Sequence, residues 1–241
     1  MDKKICCIIT RYNEHVDWLD YIQSHVDSFI IYNKGPNDNI FKNLKPNEEL
    51  MSKLKIIKLP NIGRIDHTIA YHILENWDSL NEITICLPAS ILMCYKKGAY
   101  LSAIRNKLNV VKEKYNGFYS PRFHKISPKF NYTIDNYQAE GVCNRNGNAF
   151  IKSEYTDFQE WKNAIIDTRP MRYVGMRGMF AVCKENILHI DKKIYENLLK
   201  SLSVGDNIEN GHFAERIWAH LFRQYSFDSI KPEGYEESIL N

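Results

Sequence analysis

Apolar residues fall in short runs separated by polar breakers, and these runs alternate with stretches of helical periodicity. Residues 4–10 are almost uninterruptedly apolar, the pattern of a strand buried on both faces. Asn13 is placed to cap the next segment, where Val16, Trp18, Leu19 and Ile22 recur at helical spacing. Residues 28–32 read as a second strand ended by Asn33-Lys34-Gly35-Pro36, and residues 54–59 as a third stopped by Pro60. Ile65, Ile69 and Ile73 predict a helix running to about Trp77. Residues 82–87 predict a fourth strand before Pro88, and Leu101, Ile104, Leu108 and Val111 a further helix. Residues 116–155 are loop-rich, which fits an active-site flap, an acceptor surface or an ordinary irregular excursion. Beyond them the pattern predicts a short helix over 157–166, a strand over 178–183 and one helix with uneven spacing over 186–202. Phe213, Ile217 and Leu221 mark a last amphipathic helix.

Strands alternating with helices predict an α/β fold: a mostly parallel, Rossmann-like sheet flanked by helices. With 241 residues and no repeat or linker, one domain over 1–226 with a polar tail over 227–241 is the simplest division. The ligand site of such a sheet lies at the carboxyl ends of its strands. Three polar clusters are expected there: Arg11 to Glu14, Asn33 to Gly35, and Asn61 to Asp66.

The composition, 44% apolar and 25% charged, is that of a globular chain. No run approaches the roughly 18 apolar residues that suggest a membrane span. The opening residues turn polar at Arg11, too soon for a signal peptide. A formal charge of +3 suits a phosphate-bearing ligand without calling for nucleic acid. Six cysteines without a CxxC pair read as reduced thiols, and a cytoplasmic location is expected.

No GxGxxG follows the first strand, and no P-loop, GxSxG or HExxH occurs. His67 and His72 do not share a helical face, and His124 has no second ligand at metal spacing. A polar rim remains. Arg11 and Arg64 each suit a two-pronged grip on phosphate or carboxylate, or else brace a loop. Gly63 allows close approach of a ligand or a tight turn, and Asp66 binds a ribose hydroxyl or caps the next helix. His67 reads as a helix-start residue. Glu215, opposite the apolar stripe and near Trp218, is either a general base or an ion-pair partner.

Ile8-Ile9-Thr10-Arg11-Tyr12-Asn13-Glu14 followed by Trp18-Leu19 resembles the opening of GT-A type glycosyltransferases. More closely, the chain is similar to a domain family of unknown function with glycosyltransferase-like features, found in fungi, bacteria and large DNA viruses. The matching segments are Arg11 to Glu14, Tyr32 to Gly35, Asn61 to Thr68, Leu87 to Ser90, Phe180 to Val182 and Glu215 to Trp218. Together they cover about residues 5–222. The resemblance implies a GT-A-like fold and transfer of a sugar from a UDP or GDP donor to a glycan or small-molecule hydroxyl. It implies nucleotide-sugar contacts from Arg11, Asn13, Asn61, Gly63, Arg64, Asp66 and His67, with Glu215 as the base. A viral source would place the chain in host cytoplasm or a virus factory. A non-catalytic glycan- or nucleotide-binding protein of the same fold, or a virion-associated structural protein, is the alternative. GT-A enzymes usually hold Mn²⁺ or Mg²⁺ with an Asp-x-Asp pair after the fourth strand, where this chain has Leu87-Pro88-Ala89. The metal is therefore left open.

Overall fold

The computed structural model describes residues 4–92, 102, 117–134, 150–222 and 239–240. Its strands are β1 (Ile5–Arg11), β2 (Ser28–Asn33), β3 (Leu54–Lys58), β4 (Ile83–Pro88), β5 (Phe118–Tyr119), β6 (Phe123–Ile126), β7 (Tyr173–Gly175), β8 (Phe180–Cys183) and β9 (Ile239–Leu240). Its helices are α1 (Glu48–Lys53), α2 (Arg64–Glu75), α3 (Phe158–Ile165), α4 (Lys184–Leu188), α5 (Lys192–Leu202) and α6 (Glu209–Phe222). The fold is mixed α/β. A six-stranded sheet runs in the order β3-β2-β1-β4-β8-β5, and a three-stranded sheet in the order β7-β6-β9. In the larger sheet β3, β2, β1 and β4 are parallel, and β8 is antiparallel to β4 and to β5.

Strand alternation divides the core into two layers. Ile5, Cys7 and Ile9 of β1 face one side with Phe29, Ile31, Ile83, Ile85 and Leu87, under Trp18, Leu19 and Leu50. Cys6 and Ile8 face the other side with Cys86, Phe180 and Val182, under residues of α2, α3, α5 and α6. The connections from β1 to β2 and from β2 to β3 thus cover one face, and α2 crosses the other. Because the strand order reverses at β1, keeping one crossover hand requires this change of face. The carboxyl ends of β1 to β3 then open towards the start of α2.

Several elements differ from the pattern's forecast. Residues 17–25 form two 3-10 turns, Asp17–Tyr21 and Gln23–His25, and Asn13 is exposed and caps neither. Asp17 accepts from the Lys42 and Asn43 N–H groups at 2.9 and 3.0 Å, and the Val16 N–H donates to Ile40 O at 2.9 Å. These ties to the 40–43 segment hold the stretch in tight turns. The helix expected over 186–202 is two, α4 and α5, because the Asp191 carboxylate accepts from the Lys193 N–H at 2.8 Å and starts a new helix. Helix α1, capped by Asn47 through the Leu50 N–H at 2.8 Å, and strands β5, β6 and β7 lack a strong periodic signal. The helix expected over 101–111 and most of the tail lie outside the described residues, though Ile239 and Leu240 pair with β6.

Cys6, Cys7, Cys86 and Cys183 are buried free thiols, and burial raises the first three above their ordinary pKa. No helix among the described residues is long and apolar enough to cross a membrane.

Phe213 on α6 is fully buried among Tyr132, Phe158 and Trp161, with ring centroids 6.2, 6.0 and 5.7 Å away. Phe213→Ala leaves a cavity between α6, α3 and the 130–134 segment. Chemical denaturation should show a loss of about 3–5 kcal/mol. A loss below about 1 kcal/mol would mean that these layers do not pack as described.

Candidate functional site

The site begins with a turn that few sequences tolerate. Gly63, which caps α2, and Arg64, its first residue, both have left-handed backbone, with φ of 58° and 55°. A Cβ at Gly63 would lie 2.4 Å from Leu202 O and 2.5 Å from the His67 Cβ, so glycine is required there for space as well as φ. The Gly63 N–H donates to Gly205 O at 2.7 Å. Lys34, one residue beyond β2 and only 7% exposed, donates to Ile62 O at 2.6 Å and to Arg64 O. One ammonium therefore clamps the carbonyls on both sides of Gly63. Gly35 follows because the chain there runs against Tyr12 O, 1.6 Å from where a Cβ would stand.

Helix α6 supplies the opposite wall. It begins at Glu209, so Glu215 sits mid-helix and takes no benefit from the positive end of the helix. Nor is the helix amphipathic at the surface: all its residues except Glu215 are buried. The Trp218 indole N–H donates to Asp66 Oδ1 at 2.7 Å. Arg64 Nη1 donates to His212 Nε2 at 2.7 Å, and its stem crosses Gly211, filling the space expected to admit a ligand. Arg216 stacks over Tyr132, 3.7 Å from the ring centroid, and donates to His212 O. Glu215 accepts from the Arg177 N–H. Arg177 is the other non-glycine residue with positive φ, 71°, among the described residues. Strain of this kind gathers at functional sites.

Burial sets the charges. Asp66, 1% exposed, has its pKa raised to about 7 by desolvation and then by Glu215, with the Trp218 hydrogen bond and Arg64 opposing. Desolvation lowers Lys34 to about 7 against the pull of Asp66, while its two carbonyl acceptors favour the ammonium. Desolvation and then Lys34 lower His67 to about 4. Desolvation, then Arg64 and Arg216, lower His212 to about 3. His212 is therefore neutral at pH 7, as its role as acceptor from Arg64 requires.

The expected residues divide. Gly63, Arg64, Asp66 and His67 meet Glu215 and His212 at one corner. Asn61 stands beside them, donating to Asp206 Oδ2 at 3.1 Å. Arg11 and Asn13 do not join. Arg11 is fully buried and donates to Glu14 O at 2.7 Å, Asn33 Oδ1 at 2.8 Å, Asn39 O at 3.0 Å and Asn37 O. It braces the loops after β1 and β2, the alternative its sequence context left open. Asp66 is not a cap, since Gly63 holds that position and the Asp66 side chain takes the indole. Lys34, Arg216 and Trp218, which lie in the family-like segments without an assigned site role, and Arg177 and His212, which lie in none, also belong to the corner. Lys34 had a signal in its place directly after a strand and before Gly-Pro. The others depend on how α6 and the β7–β8 turn pack.

A divalent metal does not fit this corner. Asp66 is committed to Trp218, Glu215 to the Arg177 N–H and His212 to Arg64, and the guanidiniums of Arg64 and Arg216 flank the imidazole. At the place of the usual Asp-x-Asp, Leu87 and Ala89 are buried, and Ala89 O accepts from the Trp18 indole at 3.1 Å. Among the described residues no three His, Cys, Asp or Glu side chains come together as a metal site. No family model matches the chain, and no curated protein matches it.

The raised Asp66 pKa has a definite sign. The carboxyl titrates near 3.8 when unfolded and near 7 when folded, so between these values the folded form holds a proton that the unfolded chain has lost. Stability from this group falls as pH rises from about 4 to about 7, and the cost is complete above that. Asp66→Asn keeps an acceptor for Trp218 and removes the titration. It should melt at or above the parent at pH 8, with the advantage shrinking to nothing by about pH 4. A melting difference constant across that range would show that Asp66 does not titrate there.

Proposed function

We propose that this chain is a glycosyltransferase that moves a sugar from a UDP or GDP donor to a hydroxyl on a glycan or small-molecule acceptor, with inversion. The observation that carries this reading is the pairing at one corner of an exposed guanidinium, Arg64, with a half-buried carboxylate, Glu215, on either side of Asp66. The corner lies at the carboxyl edge of the parallel strands, where α/β sheets place their ligands. The likeness of Arg11 to Glu14, Asn61 to Thr68 and Glu215 to Trp218 to glycosyltransferase-like segments supports the same reading, as does the mild positive charge.

In this reading Arg64 meets the donor diphosphate and Glu215 faces the acceptor. The acceptor oxygen forms a bond to the anomeric carbon as the bond from that carbon to the diphosphate oxygen breaks. The bonding pair leaves with the nucleoside diphosphate, and the acceptor proton passes to Glu215. Attack opposite the leaving group inverts the carbon. Asp66 is too buried to touch an acceptor, and Trp218 fixes its orientation.

Glu215→Gln tests the assignment, because the amide oxygen still accepts from the Arg177 N–H. With a panel of UDP and GDP sugars, turnover should fall at least about a hundredfold while melting temperature and donor affinity stay near the parent. Turnover within about threefold of the parent would remove Glu215 as the base. Donor binding without turnover by the parent chain would favour a non-catalytic nucleotide-binding protein.

A further inference from the structure

We propose that Arg64, His212 and Arg216 form an oxyanion site in which two arginines, rather than a carboxylate-held cation, take the charge of a diphosphate. The identification of the anion as a diphosphate rests on the transferase reading; the anion site itself rests on the side chains. Arg216 is 6% exposed, yet its Nη1 donates to His212 O while its buried Nε has no partner. Its nearest carboxylate, Glu215, is 3.9 Å away and committed to the Arg177 N–H. A buried guanidinium left this short of acceptors is costly, and most side chains of this kind are fully bonded.

The surroundings keep it in place without neutralising it. The Tyr132 ring covers one face of the guanidinium at 3.7 Å, fixing its plane. Arg64 reaches the His212 imidazole at 2.7 Å and is exposed, whereas Arg216 is buried and donates to the His212 carbonyl, so one arginine of the pair faces solvent and the other lies within. His212, itself neutral, accepts from both and feels the charge of both. Two cations gathered on one neutral residue repel each other, and an anion shared between them removes that repulsion while filling open donors. A guanidinium presents its N–H groups as a planar fork that matches phosphate oxygens, which an ammonium does not. In a transfer reaction negative charge grows on the departing diphosphate, and fixed donors aimed at it act where that charge appears. The same two cations oppose a divalent ion at this corner, which accounts for a sheet of this type without an acidic pair after β4.

The test is calorimetric titration of the full chain with inorganic pyrophosphate, with and without EDTA. Binding should survive the chelator. Arg64→Gln should weaken it about tenfold or more, read on the folded fraction because the bond to His212 is altered as well. Arg216→Lys keeps the charge but loses the fork, and should also weaken it several-fold. Arg172→Gln, an exposed arginine outside the corner, should match the parent. Absence of pyrophosphate binding, binding abolished by EDTA, or binding indifferent to both Arg64→Gln and Arg216→Lys would overturn the proposal. If Arg216→Lys fails to fold, the Arg64→Gln result decides alone. Arginine-dependent pyrophosphate binding without sugar transfer would keep this site and end the transferase reading. Transfer with pyrophosphate binding indifferent to the arginines would do the reverse.

Discussion

The structure depends on the burial of α6. A helix enclosed by a sheet and three other helices must be apolar all round or find a partner for every polar side chain it carries. Helix α6 takes the second course for most of its polar groups, the Asn210 Oδ1 and Arg216 Nε being exceptions, and several of its polar residues pin different parts of the chain. Glu209 accepts from the N–H groups of Ile134 and Ser153, on either side of the 135–149 segment, at 3.1 and 3.0 Å. Asn210 donates to Ser201 O at the end of α5, and His220 meets Asp167 just beyond α3. His212 and Trp218 hold Arg64 and Asp66 of α2, while Glu215 holds the turn at Arg177. The candidate site is thus one stretch of a general scheme: polar groups that water cannot reach are matched across elements, and the matching aligns the elements. Such networks trade stability for a specified arrangement, because one missing partner leaves a desolvated group unpaired.

Two left-handed residues show where that arrangement is forced. Arg64 and Arg177 are not glycines, yet each lies beside a glycine that is also left-handed, Gly63 or Gly178. Gly178 packs on Ile65, with the Ile65 Cγ2 2.8 Å from where a Cβ would stand, so the two turns lean on each other. Both face α6, one through a side chain and the other through a main-chain N–H. A left-handed non-glycine residue costs of order 1–3 kcal/mol. Here Lys34 offsets the cost at one turn and Glu215 at the other. Function and folding therefore compete for the same groups: Glu215 is both the brace of a strained turn and the residue proposed to take a proton.

The sheet was legible because its strands are short apolar runs, buried on both faces in β1 and β4 and more exposed only at the edge strand β3. Residues 4–10, 28–32, 54–59 and 82–87 have only one reading when turn formers bound them, and all four match β1 to β4 within a residue or two. The short elements were not legible, because β5, β6 and β7 take their form from neighbours and α1 from one asparagine cap. The helix over 186–202 misled because burial continues across the break at Asp191, through Ile187 and Ile190 before it and Leu198 and Leu202 after it. Within the corner, position after a strand pointed to Gly63, Arg64 and Asp66, which the structure brings together with α6. It failed for Arg11, since the same position suits a residue that gathers loop carbonyls. Arg216 and Trp218 lay in a family-like segment, but their roles were not legible because these depend on which faces of α6 meet α2 and the 130–134 segment.

Local and global charge differ in a way that bears on what the corner attracts. The whole chain is nearly balanced, 32 basic against 29 acidic residues. At the corner Lys34, Arg64, Arg177 and Arg216 stand against Asp66 and Glu215, and Asp66 is half-protonated near neutrality. An even scatter of charge elsewhere gives no long-range pull, so selection for an anion must come from short-range geometry. That geometry is favourable because these cations sit in or against buried helices, where screening is weak and the direction of each donor is fixed by its own partner. Arg216 is fixed by Tyr132 and Arg64 by His212. Donors held in place before a ligand arrives lose little order on binding it, so a few fixed groups achieve what a diffuse basic surface would need many lysines to match.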